Sequence, residues 1–154
     1  MTTEDTEYVG FWPRVGAAII DTALIWVIIG PLLTLHYGTS YWHSDGRFIA
    51  GGVDVLLSWI FPAVATLLFW FAKQATPGKM AISTVIVDAR TGGPASAKQF
   101  FIRYLGYLLA SIPLGLGILW VAFDKRKQGW HDKLAGTVVV RQKNRQAQPV
   151  TFGD

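Results

Sequence analysis

The sequence predicts an all-α membrane protein: two transmembrane helices, a third kinked or re-entrant hydrophobic helical element, and a small cytoplasmic β pair (about 81–88 with 136–141). Three observations carry this. Charged residues make up only 16% of the 154 positions, where about 25% is usual in soluble domains. With Gly counted and Tyr left out, the apolar share is roughly 58%, above the usual range of about 45–50%. Apolar residues also gather into three long stretches, and the seven Trp suit a chain with two membrane–water interfaces to anchor.

The N-terminal segment comes first. Met1 to Gly10 carries Glu4, Asp5 and Glu7 and no basic residue, the opposite of a secretory signal's positive n-region, so the first apolar stretch is expected to stay in the mature protein. Tyr8 to Arg14, with Phe11 and Trp12, reads as an interfacial lead-in. The first span runs from Val15 to Leu35 with one ionisable residue, Asp21, and the second from Val53 to Ala72 with Asp54 at its mouth. Each meets the requirement of about 20 mostly apolar residues.

The third stretch, Tyr104 to Phe123, is uncharged but broken by Pro113 and Gly115-Leu116-Gly117. Phe100 to Ile112 and Leu114 to Phe123 would reach only about 20 Å and 15 Å as helices, too short for two crossings of a hydrocarbon core about 30 Å thick. Charge decides how this stretch is used. One basic residue precedes the first span (Arg14), one lies in the 36–52 loop (Arg47), five lie between Lys73 and Arg103, and seven run from Lys125 to Arg145. The positive-inside rule places the 73–103 segment, and with it the N-terminus, in the cytoplasm. A third full crossing would put the most basic segment outside. A re-entrant hairpin about Pro113, covered by protein as such backbone must be, keeps it inside. It also lets the β-branched runs Ala81–Val87 and Thr137–Val140 meet rather than leave open edges.

Residues 8–141 are expected to form the membrane domain, with 1–7 and 142–154 as flexible tails. The motifs Tyr8-Val9-Gly10-Phe11-Trp12-Pro13-Arg14 leading to Ile20-Asp21, Thr76-Pro77-Gly78-Lys79 before Val87-Asp88-Ala89, Phe123-Asp124, and Gln128-Gly129-Trp130-His131-Asp132-Lys133-Leu134-Ala135-Gly136-Thr137 occur in this order. They resemble the RDD family of small bacterial integral membrane proteins. The resemblance implies an Arg and two Asp of note: Arg14 matches the Arg, Asp21 the first Asp, and Asp124 the second, with Asp132 as the alternative. It implies a multi-pass protein of the bacterial inner membrane and says little about activity.

Arg14 and Asp21 project from one face of a helix about 10.5 Å apart along its axis, a gap their side chains bridge only by stretching or through water. An ionised Asp21 inside the span would cost at least about 2.5 kcal/mol, so it must face protein or water. The functional reading makes it a proton or cation site, grouped with Arg14 and with Asp124 or Asp132 in a polar cluster. The bland reading makes it a fixed polar clamp.

His131-Asp132 suggests a general base, but adjacent side chains diverge in regular structure and no nucleophile accompanies them, so an anchoring turn is expected there. His36 and His43 with Asp45 match no compact metal motif. Gly78-Lys79 is followed by Met80, and the earlier Gly of a phosphate loop would fall at Lys73. That segment reads as a turn with Lys79 snorkelling to the headgroups. With no Cys, thiolate chemistry is excluded.

The expectation is a non-enzymatic protein without cofactor. Its partners would be the lipid bilayer, anionic lipid at the cytoplasmic face, and a second copy or another membrane protein, with no nucleic acid. Its role would be transport-like exchange of a cation or proton in an oligomer, or alternatively a scaffold for another membrane protein.

Overall fold

The computed structural model describes residues 6–43 and 49–142. A short strand β1 (Thr6–Tyr8) leads into helix α1 (Phe11–Tyr37). The 27 residues of α1 extend about 40 Å, enough to cross the hydrocarbon core with a turn to spare at each face. After a 3-10 turn at Thr39–His43, helix α2 (Gly52–Lys73) returns through the membrane. Its second turn, Leu56–Ile60, is π-helical and lies just before Phe61-Pro62, where the proline ring excludes a regular i−4 bond.

The ends of α1 and α2 remote from the strands are tied together at Asp54. Its carboxylate accepts from the Tyr41 hydroxyl (2.7 Å), the Ser58 hydroxyl (2.7 Å) and the Ala50 N–H (2.9 Å), while its own N–H donates to Tyr37 Oη. Tyr37 and Tyr41 are thus both partners of this buried acid. His43 bonds its own turn through Thr39. Asp45 and Arg47 lie outside the described residues.

A short helix α3 (Pro77–Ala81) follows, then strand β2 (Thr84–Asp88). The expected turn at Thr76–Lys79 is therefore the start of a helix, with Pro at its first position where the missing N–H costs nothing. The expected strand start at Ala81 gives way to Thr84 for the same reason. Helix α4 (Ala97–Ser111) begins at a capping box, in which Ser96 and Gln99 satisfy each other's backbone N–H. The Gln99 amide also reaches the Asp88 carboxylate at 2.6 Å.

Pro113 ends the run. Leu114 and Gly115 adopt left-handed backbone (φ 54° and 78°), and the helical segment α5 (Leu116–Ala122) leaves at 115° to α4. A loop leads to α6 (Trp130–Ala135) and strand β3 (Thr137–Gln142).

β3 is the central strand of a three-stranded antiparallel sheet ordered β1-β3-β2. Val87 faces Val138 and Val85 faces Val140 across the β2–β3 ladder. The expected pair is thus present and gains a third member: Thr6 and Glu7, read as tail residues, form β1 and are joined to β3 by the Glu7–Arg141 ion pair. Residues 1–5 and 143–154 of the expected tails lie outside the described residues. The core beneath the sheet is built from Val9, Trp70, Ile86, Phe100 and Val139.

The sheet also settles how often the chain crosses. β1 precedes α1, β2 follows α2, and β3 follows α5, yet all three share one sheet. The α1–α2 segment and the α4–α5 segment must each begin and end on one side. At about 22 Å for its 15 residues, α4 is too short to span. The apex is apolar and exposed, with Leu114 96% accessible, as suits a tip immersed in hydrocarbon. Two helices long and apolar enough to span and a bent helical pair result.

Candidate functional site

The polar residues of the sheet-side half converge on Asp132. Gly129 starts α6, and the Asp132 carboxylate folds back to accept its N–H (3.1 Å). Arg14, in the first turn of α1, donates through Nη1 to Asp132 Oδ2 at 2.5 Å, and Arg103, from the middle of α4, donates through Nη1 to Oδ1. The carboxylate is fully buried. Burial alone would raise the Asp132 carboxyl, but the positive charges of Arg103 and Arg14 hold it well below the usual carboxylate range. Three elements distant in sequence are thereby fastened through one side chain.

The two arginines differ in what remains of them. Arg14 is fully engaged: Nε donates to the Val9 carbonyl (3.0 Å) and Nη2 to the Lys127 carbonyl (2.5 Å). Arg103 also reaches Thr137 Oγ1 at 2.7 Å, but its Nε and Nη2 are buried without a partner among the described residues. Its guanidinium lies 5.5 Å from the Trp70 ring and 5.7 Å from the Tyr107 ring.

His131 does not diverge from its neighbour as expected: its Nε2 lies 3.4 Å from Asp132 Oδ2, and the ring stacks on Tyr107 with centroids 3.8 Å apart. Burial pushes its imidazole down to about 4, so the ring is neutral at pH 7. Gly106 makes this packing possible, since a Cβ there would lie 2.8 Å from His131 Cα.

Asp21 does not bond Arg14. Its oxygens accept from Thr76 Oγ1 (2.6 Å) and the Gly78 N–H (2.7 Å), which ties α1 to the start of α3. Gly78 is required there, because a Cβ would fall 2.0 Å from the Ala17 carbonyl oxygen. Lys79, expected at the headgroups, is instead buried with its ammonium 5.6 Å from the Trp70 ring centroid. It is turned inward because Gly78 brings α3 against α1, and burial pushes its ammonium below the ordinary lysine value.

Asp124 stands apart. Its carboxylate pairs with Lys133 at 2.5 Å and accepts the Arg126 and Gln128 N–H groups of a surface turn. Of the four candidate residues, the structure brings Arg14 and Asp132 into direct contact, places Asp21 on the same cavity wall as Arg14, and leaves Asp124 outside. Sequence reasoning overlooked Arg103 and Trp70 and misplaced Lys79. A lone Arg four positions into the apolar run from Phe100 was the available signal.

A cavity of about 420 Å³ lies between α1, α2 and the re-entrant pair. Arg14, Asp21, Thr76, Lys79, Trp70 and His131 supply polar groups to its wall, and Val15, Ile25, Leu108 and Ile118 supply apolar ones.

Two apolar spans, a bent helical pair and a sheet that joins strands from both ends of the described residues define a polytopic integral membrane protein with a charged cluster on the sheet side. The sequence model of the RDD family matches residues 8–136, and the chain belongs to that family, as its motifs led one to expect. The uncharacterized membrane protein YteJ of Bacillus subtilis (strain 168) is 28% identical over 141 residues, covering 88% of this chain and 82% of YteJ. The uncharacterized protein YckC of the same organism is 29% identical over 135 residues, 84% of this chain and 82% of YckC. The uncharacterized protein RP437 of Rickettsia prowazekii (strain Madrid E) is 39% identical over 75 residues, 49% of this chain but only 41% of RP437. No solved structure matches the chain.

Proposed function

We propose that this RDD protein is a non-enzymatic, transport-type protein of the bacterial inner membrane, working as an oligomer, in which Asp21 carries a proton or cation at the wall of the cavity. The observation that carries the reading is an acid within a transmembrane helix that borders a 420 Å³ cavity instead of packed protein. The Thr76 hydroxyl suits proton carriage. It donates to Asp21 Oδ2, and because a hydroxyl is both donor and acceptor the same contact survives in reverse when the carboxyl is protonated. Asp132, whose two oxygens are committed to arginines, serves to hold the fold. Two spans and a hairpin do not enclose a pathway alone, which is the reason for an oligomer.

Proteoliposome flux tests this. Asp21→Asn keeps an acceptor for Gly78 but loses the charge, and is expected to abolish proton- or cation-linked flux; flux equal to wild type removes Asp21 from the mechanism. Edge strands β1 and β2 favour a second reading, a scaffold that docks another membrane protein. Its signature is a reproducible heterologous crosslink in native membranes without flux.

The sheet side is assigned to the cytoplasm because Arg14, Lys73, Lys98, Lys125, Arg126 and Lys127 all lie at that end, whereas the 36–52 loop holds only Arg47. Since the chain has no native Cys, single substitutions report cleanly. Ser40→Cys is expected to react with an impermeant maleimide on intact cells and Thr91→Cys only after lysis; the opposite pattern reverses the orientation.

A further inference from the structure

We propose that the cavity beside Asp21 is a binding site for a phosphate-type anion borne by an amphiphile, with Lys79 and Trp70 Nε1 as its receiving groups. This goes beyond the exchange reading of Asp21 by adding an anion site to the same cavity, and it rests on the cavity being a working site.

The first argument is charge. Two cations, Arg14 and Lys79, and one carboxylate, Asp21, line the cavity, and Arg103 and Asp132 lie outside its lining, paired with each other. Both carboxylates have their partners elsewhere than at Lys79: Asp132 binds the two arginines, and Asp21 accepts from Thr76 and Gly78. Among the described residues no carboxylate lies within ion-pair distance of the Lys79 ammonium, although Lys79 is only 7% exposed. An anion entering beside Lys79 would find a positive charge that no carboxylate neutralises. It would also oppose the effect of burial, which works against the charged lysine.

The second argument is unmet hydrogen-bonding capacity. Trp70 is 2% exposed and lines the cavity, and its Nε1 has no acceptor among the described residues. Indole N–H is a donor only, so what is missing is an acceptor. Arg103 Nε and Nη2, close behind the Trp70 ring, lack acceptors too. Buried donors of this kind are normally paired, and Trp70 Nε1 belongs to a residue that lines the cavity.

The third argument is the opposite wall. Val15, Ile25, Leu108 and Ile118 offer no partner to a fully hydrated ion but suit an acyl or similar chain. Lys79 follows α2 by only a few residues and Arg14 lies in the first turn of α1, so these two cations sit near the end of the spans, at headgroup depth. A membrane phospholipid and a soluble phosphate share the head-group chemistry, and they are separated by experiment.

The full-length chain is reconstituted in phosphatidylcholine vesicles and its thermal stability is followed while either phosphatidylglycerol or inorganic phosphate is titrated. A saturable rise with phosphatidylglycerol alone is expected, with the half-saturation point shifted roughly tenfold upward in Lys79→Gln and restored in Lys79→Arg. An equal rise with inorganic phosphate supports the anion site and assigns it to free phosphate. No saturable response to either, or an unshifted one in Lys79→Gln, overturns the proposal. Should Lys79→Gln not fold, Trp70→Phe keeps the ring and removes the donor, and is expected to weaken binding severalfold; unchanged binding there overturns it equally. Because binding is read without flux, wild-type flux in Asp21→Asn would sink the exchange reading and leave this site standing.

Discussion

Asp132→Ala is expected to destabilise the protein by about 3–5 kcal/mol, the cost of removing one partner from a buried ion pair and leaving the other charges uncompensated. Here two guanidiniums lose their shared acceptor at once. Arg103 is fully buried and already has two unpartnered donors; without Asp132 only Thr137 remains to it. α1, α4 and α6 lose the residue at which they meet, and the Gly129 N–H at the start of α6 loses its cap. The expected readout is a large drop in melting temperature in detergent, with much of the chain lost to aggregation during extraction. Asp124→Asn is the control. Its partner Lys133 has a side chain 45% exposed, and such surface pairs are worth about 0–1 kcal/mol. If the two substitutions proved equally mild, Asp132 would not be the fastening point.

That contrast shows what the sequence could and could not supply. The spans were legible because an apolar run of sufficient length has few other uses. The hairpin was legible because Pro113 divides its stretch into pieces too short to cross and because a third crossing would have exported the basic segment. The β2–β3 pairing followed from two β-branched runs that each needed a partner. β1 was not legible: three residues following an acidic segment carry no alternation to read, and they become a strand only because β3 offers a free edge.

The cluster was legible in its chemistry and not in its geometry. Asp124 looked like the partner of Arg14 because it ends the third apolar stretch, but the chain turns once more, through Gln128 and Gly129, before an acid points inward. His131 and Asp132, expected to diverge, meet at 3.4 Å, and nothing local shows that the segment carrying them would be buried against Gly106. Lys79 follows a Pro-Gly pair that reads as an exposed turn. Only the tertiary approach of α3 to α1 turns that lysine inward.

That approach depends on one missing side chain, so Gly78→Ala is expected to be the second most damaging substitution. Replacing Gly by Ala in a helix ordinarily stabilises by about 0.5–1 kcal/mol, which would favour the variant. Against this, the added methyl would lie 2.0 Å from the Ala17 carbonyl oxygen and 3.0 Å from Asp21 Cγ. The first of these is backbone within a transmembrane helix and cannot step aside. Overpacking of this kind costs about 1–3 kcal/mol, and relieving it by moving α3 away also breaks the Gly78 N–H bond to Asp21 and draws Lys79 off Trp70. Stability and function should therefore fall together: a lower melting temperature, weakened anion response, and loss of any flux that depends on Asp21. Gly16→Ala, one position from Ala17 with nothing within 4 Å of its added methyl, should be neutral or slightly stabilising. A stable, fully active Gly78→Ala protein would mean that α3 does not rest on α1, and the placement of Asp21, Lys79 and the cavity between them would have to be redrawn.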